Sequence, residues 1–409
     1  MNNLNEKQKI LIDDLASKNI DAAAVKQAVK DLVVELPSWA VGNSGTRYGT
    51  FRDKGAARTI WDKIDDCAEI QRVLGTCPVM ASHVLWDVTD DGQYTPVREY
   101  AQSKGMRIGT VHPNTFAGQE FRYGSLCSPI KAVREQSHAH FIDCVRIARE
   151  MGSKVIGMWI ADGTNYPGQD NLRERKHRLY DGLKVLYDAL DDDMQMVLEY
   201  KPFEPFFYTA DVQDWGMSKL MCDKLGDKAK VLVDLGHHLA GVNIEQIVSI
   251  LLDENKMGGF HFNNRRYADD DLITGTVKPF ELFIIFKEIV DAKYEGLNTD
   301  ITYMLDQSHN IEPSLEGIIY SVMNIQTSYA KSLIIDRDAL KISQQDNDTI
   351  LSNKIIMDAF NTDVEPLLAA ARQELGLSHI DPIQNYRDGG WAKKIASERE
   401  DDGINTLGG

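Results

Sequence analysis

The chain has 409 residues, 43% of them hydrophobic, and carries 45 Lys and Arg against 62 Asp and Glu, a net charge of −17. That composition suits a globular fold with a large core, either one barrel with extensions or two medium domains. The acidic balance argues against nucleic acid or an anionic membrane surface as a partner, because both require a positive footprint. The five cysteines (Cys67, Cys77, Cys127, Cys144 and Cys222) are odd in number and form no CxxC pair, so they read as reduced, mostly buried thiols of a cytoplasmic protein. The charged start MNNLNEKQKILIDDLASKNI lacks the apolar stretch of a signal peptide. No apolar run approaches the roughly eighteen residues of a membrane span.

Residues 5–35 place Leu11, Ile12, Leu15, Ile20, Ala24, Val25, Val29 and Val33 at helical spacing, which predicts a helical segment over 1–35. LPSWAVG (36–42) is a short apolar run, followed by a loop, GTRYGTFRDKGAART, and the helix-like IWDKIDDCAEIQRVLG. Strand-like and helix-like segments then alternate. The strand candidates are 78–86, 106–112, 154–162, 194–200, 229–235, 257–262 and 301–306, and PSWAV brings them to eight. AVREQSHAHFIDCVRIAREMG and NLRERKHRLYDGLKVLYDAL are amphipathic helices between them, with NLRERKHR as an exposed face. This is the pattern of a (β/α)₈ TIM barrel over 36–336, closed by the helix SLEGIIYSVMNIQTSYAKSLII. A doubly wound open sheet shows similar alternation, but no GxGxxG or P-loop supports it. Residues 337–409 hold no strand candidate, so they are expected to be a helical extension that packs on the barrel or on another subunit. The polar end SEREDDGINTLGG is expected to be disordered.

Chemistry gathers where successive apolar runs end. MQMVLEYK supplies Glu199 and Lys201, KVLVDLGHH supplies Asp234 and His237, GGFHFNN supplies His261, RRYADDD supplies Asp269 and Asp271, and ITYMLDQSH supplies Asp306. Parallel barrel strands bring their carboxyl ends to one cleft. Carboxylates and imidazoles without thiolate suit Mn²⁺, Mg²⁺, Co²⁺ or Zn²⁺. Each residue has a plainer use: Glu199 and Lys201 pairing with each other, Asp234 capping a helix, His261 hydrogen-bonded in a core, and the DDD run solvated. Jointly, seven ligands at four consecutive strand ends suffice for two sites, one with four protein ligands and one with three plus open positions. His238 points elsewhere if His237 points in. Trp39, His83, Phe116 and Trp159 fall in or just after strand candidates and could wall a sugar pocket, although each aromatic taken alone reads more readily as core, with HPNTFAGQ and WIADGTNYPGQDN as loops rich in hydrogen-bonding groups.

VLEYKPFEP, QDWG, LVDLGHH, GGFHFN, DDDL, MLDQSHN and the N-terminal PSWAVG-x-x-GTR closely resemble the bacterial L-rhamnose isomerase family in its broad-specificity branch, a xylose-isomerase-like barrel. The likeness runs from about Asp31 to about Tyr386 and includes TDVEP. It implies a (β/α)₈ barrel, a homotetramer and two divalent metals per subunit, Mn²⁺ ahead of Co²⁺, Mg²⁺ or Zn²⁺. The implied reaction is interconversion of L-rhamnose and L-rhamnulose, with other aldoses such as D-allose also accepted. By matching position, Glu199, Asp234, His261 and Asp306 would hold the structural metal, and His237, Asp269 and Asp271 the catalytic one. Lys201 and His83 would contact substrate oxygens, and Trp39, Phe116 and Trp159 would line the pocket. The chain departs from the family at Tyr200, where relatives carry His before the Lys, and at Asn264, where Asp often follows Asn. These departures bear on the preferred sugar and on tuning of the ligands more than on the reaction type. A metal-dependent endonuclease on this barrel would need more histidines and a basic face. A non-catalytic, metal-stabilised sugar-binding barrel would show no turnover.

Overall fold

Eight short strands close into one parallel barrel in the computed structural model, which describes residues 2–46, 49–203, 209–307, 309 and 311–399. They are β1 (Glu35–Pro37), β2 (Val79–His83), β3 (Arg107–His112), β4 (Val155–Met158), β5 (Gln195–Glu199), β6 (Ala229–Asp234), β7 (Met257–Phe262) and β8 (Thr302–Leu305). Each pairs in parallel with the next, and β8 returns to β1 at Met304 and Glu35. This closure excludes the open sheet.

The first strand lies earlier than PSWAV. Pro37 lacks the N–H that a longer central strand would need, so the ladder stops there. Ser38–Val41 then coil into a 3₁₀ turn that carries Trp39 to the rim. The N-terminal segment is two helices, α1 (Asn2–Ser17) and α2 (Ala22–Asp31). The chain breaks at Asn19, φ 57°, and Asp21 caps α2 by accepting from Ala23 N at 2.8 Å. Within the expected loop, Ser44–Thr46 and Gly49–Phe51 form an antiparallel pair, and Arg47 and Tyr48 lie outside the described residues.

One helix follows each strand: α3 (Ile60–Leu74), α4 (Thr95–Ser103), α5 (Lys131–Met151), α6 (Leu172–Ala189), α7 (Trp215–Leu225), α8 (Ile244–Asp253), α9 (Pro279–Tyr294) and α10 (Ser314–Leu333). Their start and stop signals are local. In α3, Thr59 and Asp62 form a capping box, and Gly75 ends the helix at φ 75°. All five cysteines are buried free thiols. No helix among the described residues is long and apolar enough to cross a membrane.

Beyond the barrel come α11 (Arg337–Gln345), α12 (Thr349–Asn361), α13 (Glu365–Glu374), α14 (Pro382–Gly389) and α15 (Trp391–Glu398). This region folds back on the chain's own first helices. Lys26 and Lys30 of α2 meet Glu374, and Arg387 meets Glu316. The indole N–H of Trp391 donates to Asp66 Oδ1 at 2.8 Å, and Arg399 Nη1 donates to Oδ2 at 2.7 Å. Burial pushes Asp66 up to about 6 against those two partners. Arg399→Met is therefore expected to lower stability by about 3 kcal/mol at pH 8, because it strands a buried carboxylate. The loss should shrink below pH 6, where Asp66 takes a proton instead. Thermal unfolding at pH 5 and pH 8 checks this. Of the tail expected to be disordered, residues from 400 onward lie outside the described residues.

Candidate active site

Glu199 ends β5, Asp234 ends β6, His261 is next to last in β7, and Asp306 follows β8. The barrel therefore delivers them to one rim, and one ligand atom from each of the four lies within 4.8 Å of the others. His261 Nδ1 is 3.2 Å from Glu199 Oε2, 3.4 Å from Asp306 Oδ2 and 3.8 Å from Asp234 Oδ2. It nevertheless makes no hydrogen bond. A buried imidazole nitrogen aimed between three carboxylates, bonded to none, is how ligands stand around a shared cation. Outer groups fix the acids: Trp39 Nε1–H donates to Asp306 Oδ1 at 2.9 Å, and Asn263 Nδ2 donates to both Asp234 oxygens at 3.0 and 3.1 Å.

A second group adjoins the first and shares Asp234: Asp234, His237 and Asp269. The Tyr200 carbonyl, 3.1 Å from His237 Nδ1, fixes the hydrogen there, leaving Nε2 to face Asp269 Oδ1 at 3.6 Å. Asp269 Oδ1 is buried without a hydrogen-bond partner, while Oδ2 receives the Lys201 ammonium. Asp271 is not one of this group. It sits beside it, 3.5 Å from Asn263 Nδ2, with its backbone left-handed at φ 46°. A Cβ on Gly236 would meet Asp269 Oδ1 at 2.5 Å and Asp234 Oδ1 at 3.1 Å, so glycine is what lets the turn carry His237 past these acids.

Lys201 thus pairs with Asp269 and not with Glu199. His238 turns away and its Nε2 meets the Tyr200 hydroxyl at 2.7 Å, which gives Tyr200 a use of its own. Asn264 accepts from Val277 N at 3.1 Å and Lys278 N at 3.4 Å, while its neighbour Asn263 holds the Asp234 and Asp271 carboxylates. Any tuning of Asp234 by a neighbouring side chain therefore runs through Asn263.

Burial pushes Asp234 up to about 7 and Asp271 well above the usual carboxylate range, helped in Asp271 by the charge of Asp269. Burial works the same way on Glu199 and Asp269, but is overcome. His261 and His237 hold Glu199 low, and His237 and Lys201 hold Asp269 low. Both imidazoles are raised well above their ordinary value by these carboxylates, against the effect of burial. The residues by themselves therefore retain protons that a cation would displace. Uptake of a divalent cation is expected to release protons, with affinity falling as pH drops below about 7. Titration calorimetry in two buffers of different ionisation enthalpy reads the released protons directly; a heat independent of buffer would contradict this.

Another acidic group shows what a satisfied cluster looks like. Cys127, Asp162 and Asp211 also lie within 4.8 Å of one another. Asp162 accepts from Ser125 N, Ser125 Oγ and Cys127 N at 2.6–2.9 Å. Asp211 is forked by the guanidinium of Arg175. This cluster has its own cation, whereas the rim cluster has unpartnered ligand atoms, and the donor set at the rim fits a divalent metal.

An aromatic wall adjoins the rim. Trp39 meets His83 edge-on at 5.7 Å, Phe116 meets His83 at 5.8 Å and Trp159 at 4.9 Å, and the Lys201 ammonium lies 5.4 Å over the Trp159 ring. Two members are additions to the sequence reading. Trp86 stacks on His83 at 3.9 Å. His112, at the end of β3, lies 5.5 Å from the His261 ring, and neither of its ring nitrogens has a hydrogen-bond partner. It fits only because Gly157 has no side chain, where a Cβ would meet Nε2 at 2.3 Å. Its signal was its place at the end of MRIGTVH, like that of His83 at the end of the strand before.

Residues 85–298 match the family described as xylose isomerase-like TIM barrel. A probable sugar isomerase of Rhizobium meliloti (strain 1021) is 42% identical over 393 residues, covering 95% of this chain and 91% of that protein. One of Mesorhizobium japonicum (strain LMG 29417 / CECT 9101 / MAFF 303099) is 40% identical over 391 residues, covering 94% and 90%. Among solved structures, an L-ribulose 3-epimerase aligns with TM-score 0.58 at 11% identity, over 76% of this chain and 98% of its own. A D-allulose 3-epimerase from Methylomonas sp. aligns with TM-score 0.50 at 13% identity, over 77% and 98%. At such identities the solved structures show the shared barrel alone. The curated relatives share two fifths of their residues along nearly the whole length, and on that ground, together with the matched span, the chain belongs to the xylose isomerase-like TIM barrel family.

Proposed function

We propose that the chain is a metal-dependent aldose–ketose isomerase that interconverts L-rhamnose and L-rhamnulose and accepts related aldoses such as D-allose. The observation that carries the metal and the reaction class is the pair of adjoining ligand groups sharing Asp234, beside Lys201 and an aromatic wall. The sugar-isomerase names of the relatives support the class, and the sequence motifs support the rhamnose assignment. Glu199, Asp234, His261 and Asp306 would hold one divalent ion. His237 and Asp269, with the shared Asp234 and Asp271 nearby, would hold the other, Mn²⁺ being preferred.

A cation bound there supplies Lewis-acid polarisation of the sugar's C1 and C2 oxygens. The protein groups do the rest. Lys201, mostly buried and kept charged by Asp269, stabilises negative charge that develops on a substrate oxygen. Burial drives the His83 imidazole well below its ordinary value, so a neutral ring faces the sugar. Trp39, Phe116 and Trp159 pack on C–H faces and exclude water. Exposed Ile342, Ile350 and Leu351 in α11 and α12 are the surface we assign to subunit contact in a homotetramer. Gel filtration showing a lone monomer would remove that part. For the activity, chromatographic separation of aldose from ketose after incubation with L-rhamnose, L-lyxose, L-mannose and D-allose ranks the sugars. The expected order puts L-rhamnose first, and ketose from another sugar but none from L-rhamnose would overturn the assignment.

A further inference from the structure

Arg175 in α6 is 1% exposed and takes no part in the chemistry proposed above. Its Nε lies 3.0 and 3.2 Å from the two Asp211 oxygens, and its Nη1 reaches Asp170 Oδ2 at 3.0 Å and the Cys127 carbonyl at 3.4 Å. A buried guanidinium is retained only where fixed anions and carbonyls meet its fork. Here the partners come from three separate loops: Cys127 after β3, Asp170 after β4 and Asp211 after β5.

Short backbone steps lead from this fork to the wall of the site. Asp211 N donates to the Asp162 carbonyl at 2.8 Å, and Lys201 N donates to the Val212 carbonyl at 2.9 Å. Gly163–Thr164 pair antiparallel with Thr209–Ala210. The Asp162 carboxylate holds Ser125, whose Oγ accepts from Thr115 Oγ1 at 3.3 Å, next to Phe116. Trp159 lies three residues before Asp162. One guanidinium thus ties together the loops that present Phe116, Trp159 and Lys201.

We infer that Arg175 is a positioning residue, which sets the place of Lys201 by clamping the 209–212 return onto the loops of β3 and β4. The effect on turnover rests on the isomerase reading and on Lys201 contacting substrate. Lysine at 175 would keep the charge but lose the planar fork. Arg175→Lys is expected to lower kcat by about 100-fold, the cost of misplacing a catalytic group by about an ångström. Mn²⁺ affinity should not fall, since the fork touches no ligand directly and a displaced Lys201 only relieves its opposition to a cation at Asp269.

A double-mutant cycle tests this. In a Lys201→Met background the same change should cost less than about threefold, because the ammonium that the clamp positions is gone. A merely structural contribution gives the same factor in both backgrounds, and that result would overturn the inference. Amide hydrogen exchange provides a readout independent of turnover. In Arg175→Lys, the Lys201 and Asp211 amides should lose protection while those of Val197 and Leu232 in β5 and β6 keep theirs. If the parent turns over no sugar, the isomerase reading fails by itself, and exchange alone decides the clamp, with unchanged protection at Lys201 and Asp211 counting against it. Asp211→Asn, which cuts the same fork, serves if Arg175→Lys does not fold and should reproduce the local loss of protection.

Discussion

Lys201→Met is expected to lower kcat by about 10²–10³-fold, the usual cost of removing one preorganised group that stabilises developing charge. The side chain lies at the junction of the Trp159 ring and Asp269. Burial alone would lower its pKa, but the charge and hydrogen bond of Asp269 raise it above the ordinary value, so it stays an ammonium through neutral pH. Methionine keeps most of the volume and removes the charge. Metal affinity should not fall, because a cation beside Asp269 opposes another cation at the same carboxylate. Steady-state kinetics with Mn²⁺ saturating reads the effect, and a variant with full kcat would remove Lys201 from the mechanism.

Asp234→Asn should do more, because Asp234 alone belongs to both ligand groups. Its carboxylate is fully buried and already accepts from Asn263 Nδ2 and, at 2.6 Å, from Gly236 N. An amide there would turn an NH₂ toward these donors or toward the cations, and would remove a charge from each site. For the parent, Mn²⁺ at a hundred times its Kd should raise stability by about 2.7 kcal/mol. In Asp234→Asn that Mn²⁺-dependent rise in Tm should vanish and activity should fall further than in Lys201→Met, because the Lewis acid itself is lost. Differential scanning with and without Mn²⁺ makes the comparison. A full Mn²⁺-dependent shift in the variant would break the assignment of Asp234 as a shared ligand.

The barrel was legible because each strand is a brief apolar run bounded by polar or glycine-containing sequence, with a helix after it. The error at PSWAV has a local cause: Trp39, Ala40 and Val41 look strand-like, but Pro37 cannot extend the ladder. The candidate ligands stand out in the sequence because a carboxylate closing a buried run must be matched by a cation or donors. Their grouping was less so. The family resemblance groups Asp271 with His237 and Asp269, whereas the folded loop puts Asp234 there, with Asn263 between it and Asp271. His112 looks like any core histidine until it is seen crossing Gly157. Arg175 was hidden most completely: within NLRERKHR it reads as part of a solvated helix face, yet it is buried among partners that are distant in sequence. Periodicity ranks residues along one helix and cannot show which loops close over it.

The most direct test of the central claim is a ketose-forming assay on EDTA-stripped protein, with L-rhamnose and D-allose in separate reactions and Mn²⁺ either restored or withheld. Turnover that is absent without metal and returns with Mn²⁺ is the predicted result. Protein that rebinds Mn²⁺ but forms no ketose from these or any other aldose would contradict it, and would leave a metal-stabilised sugar-binding barrel in its place.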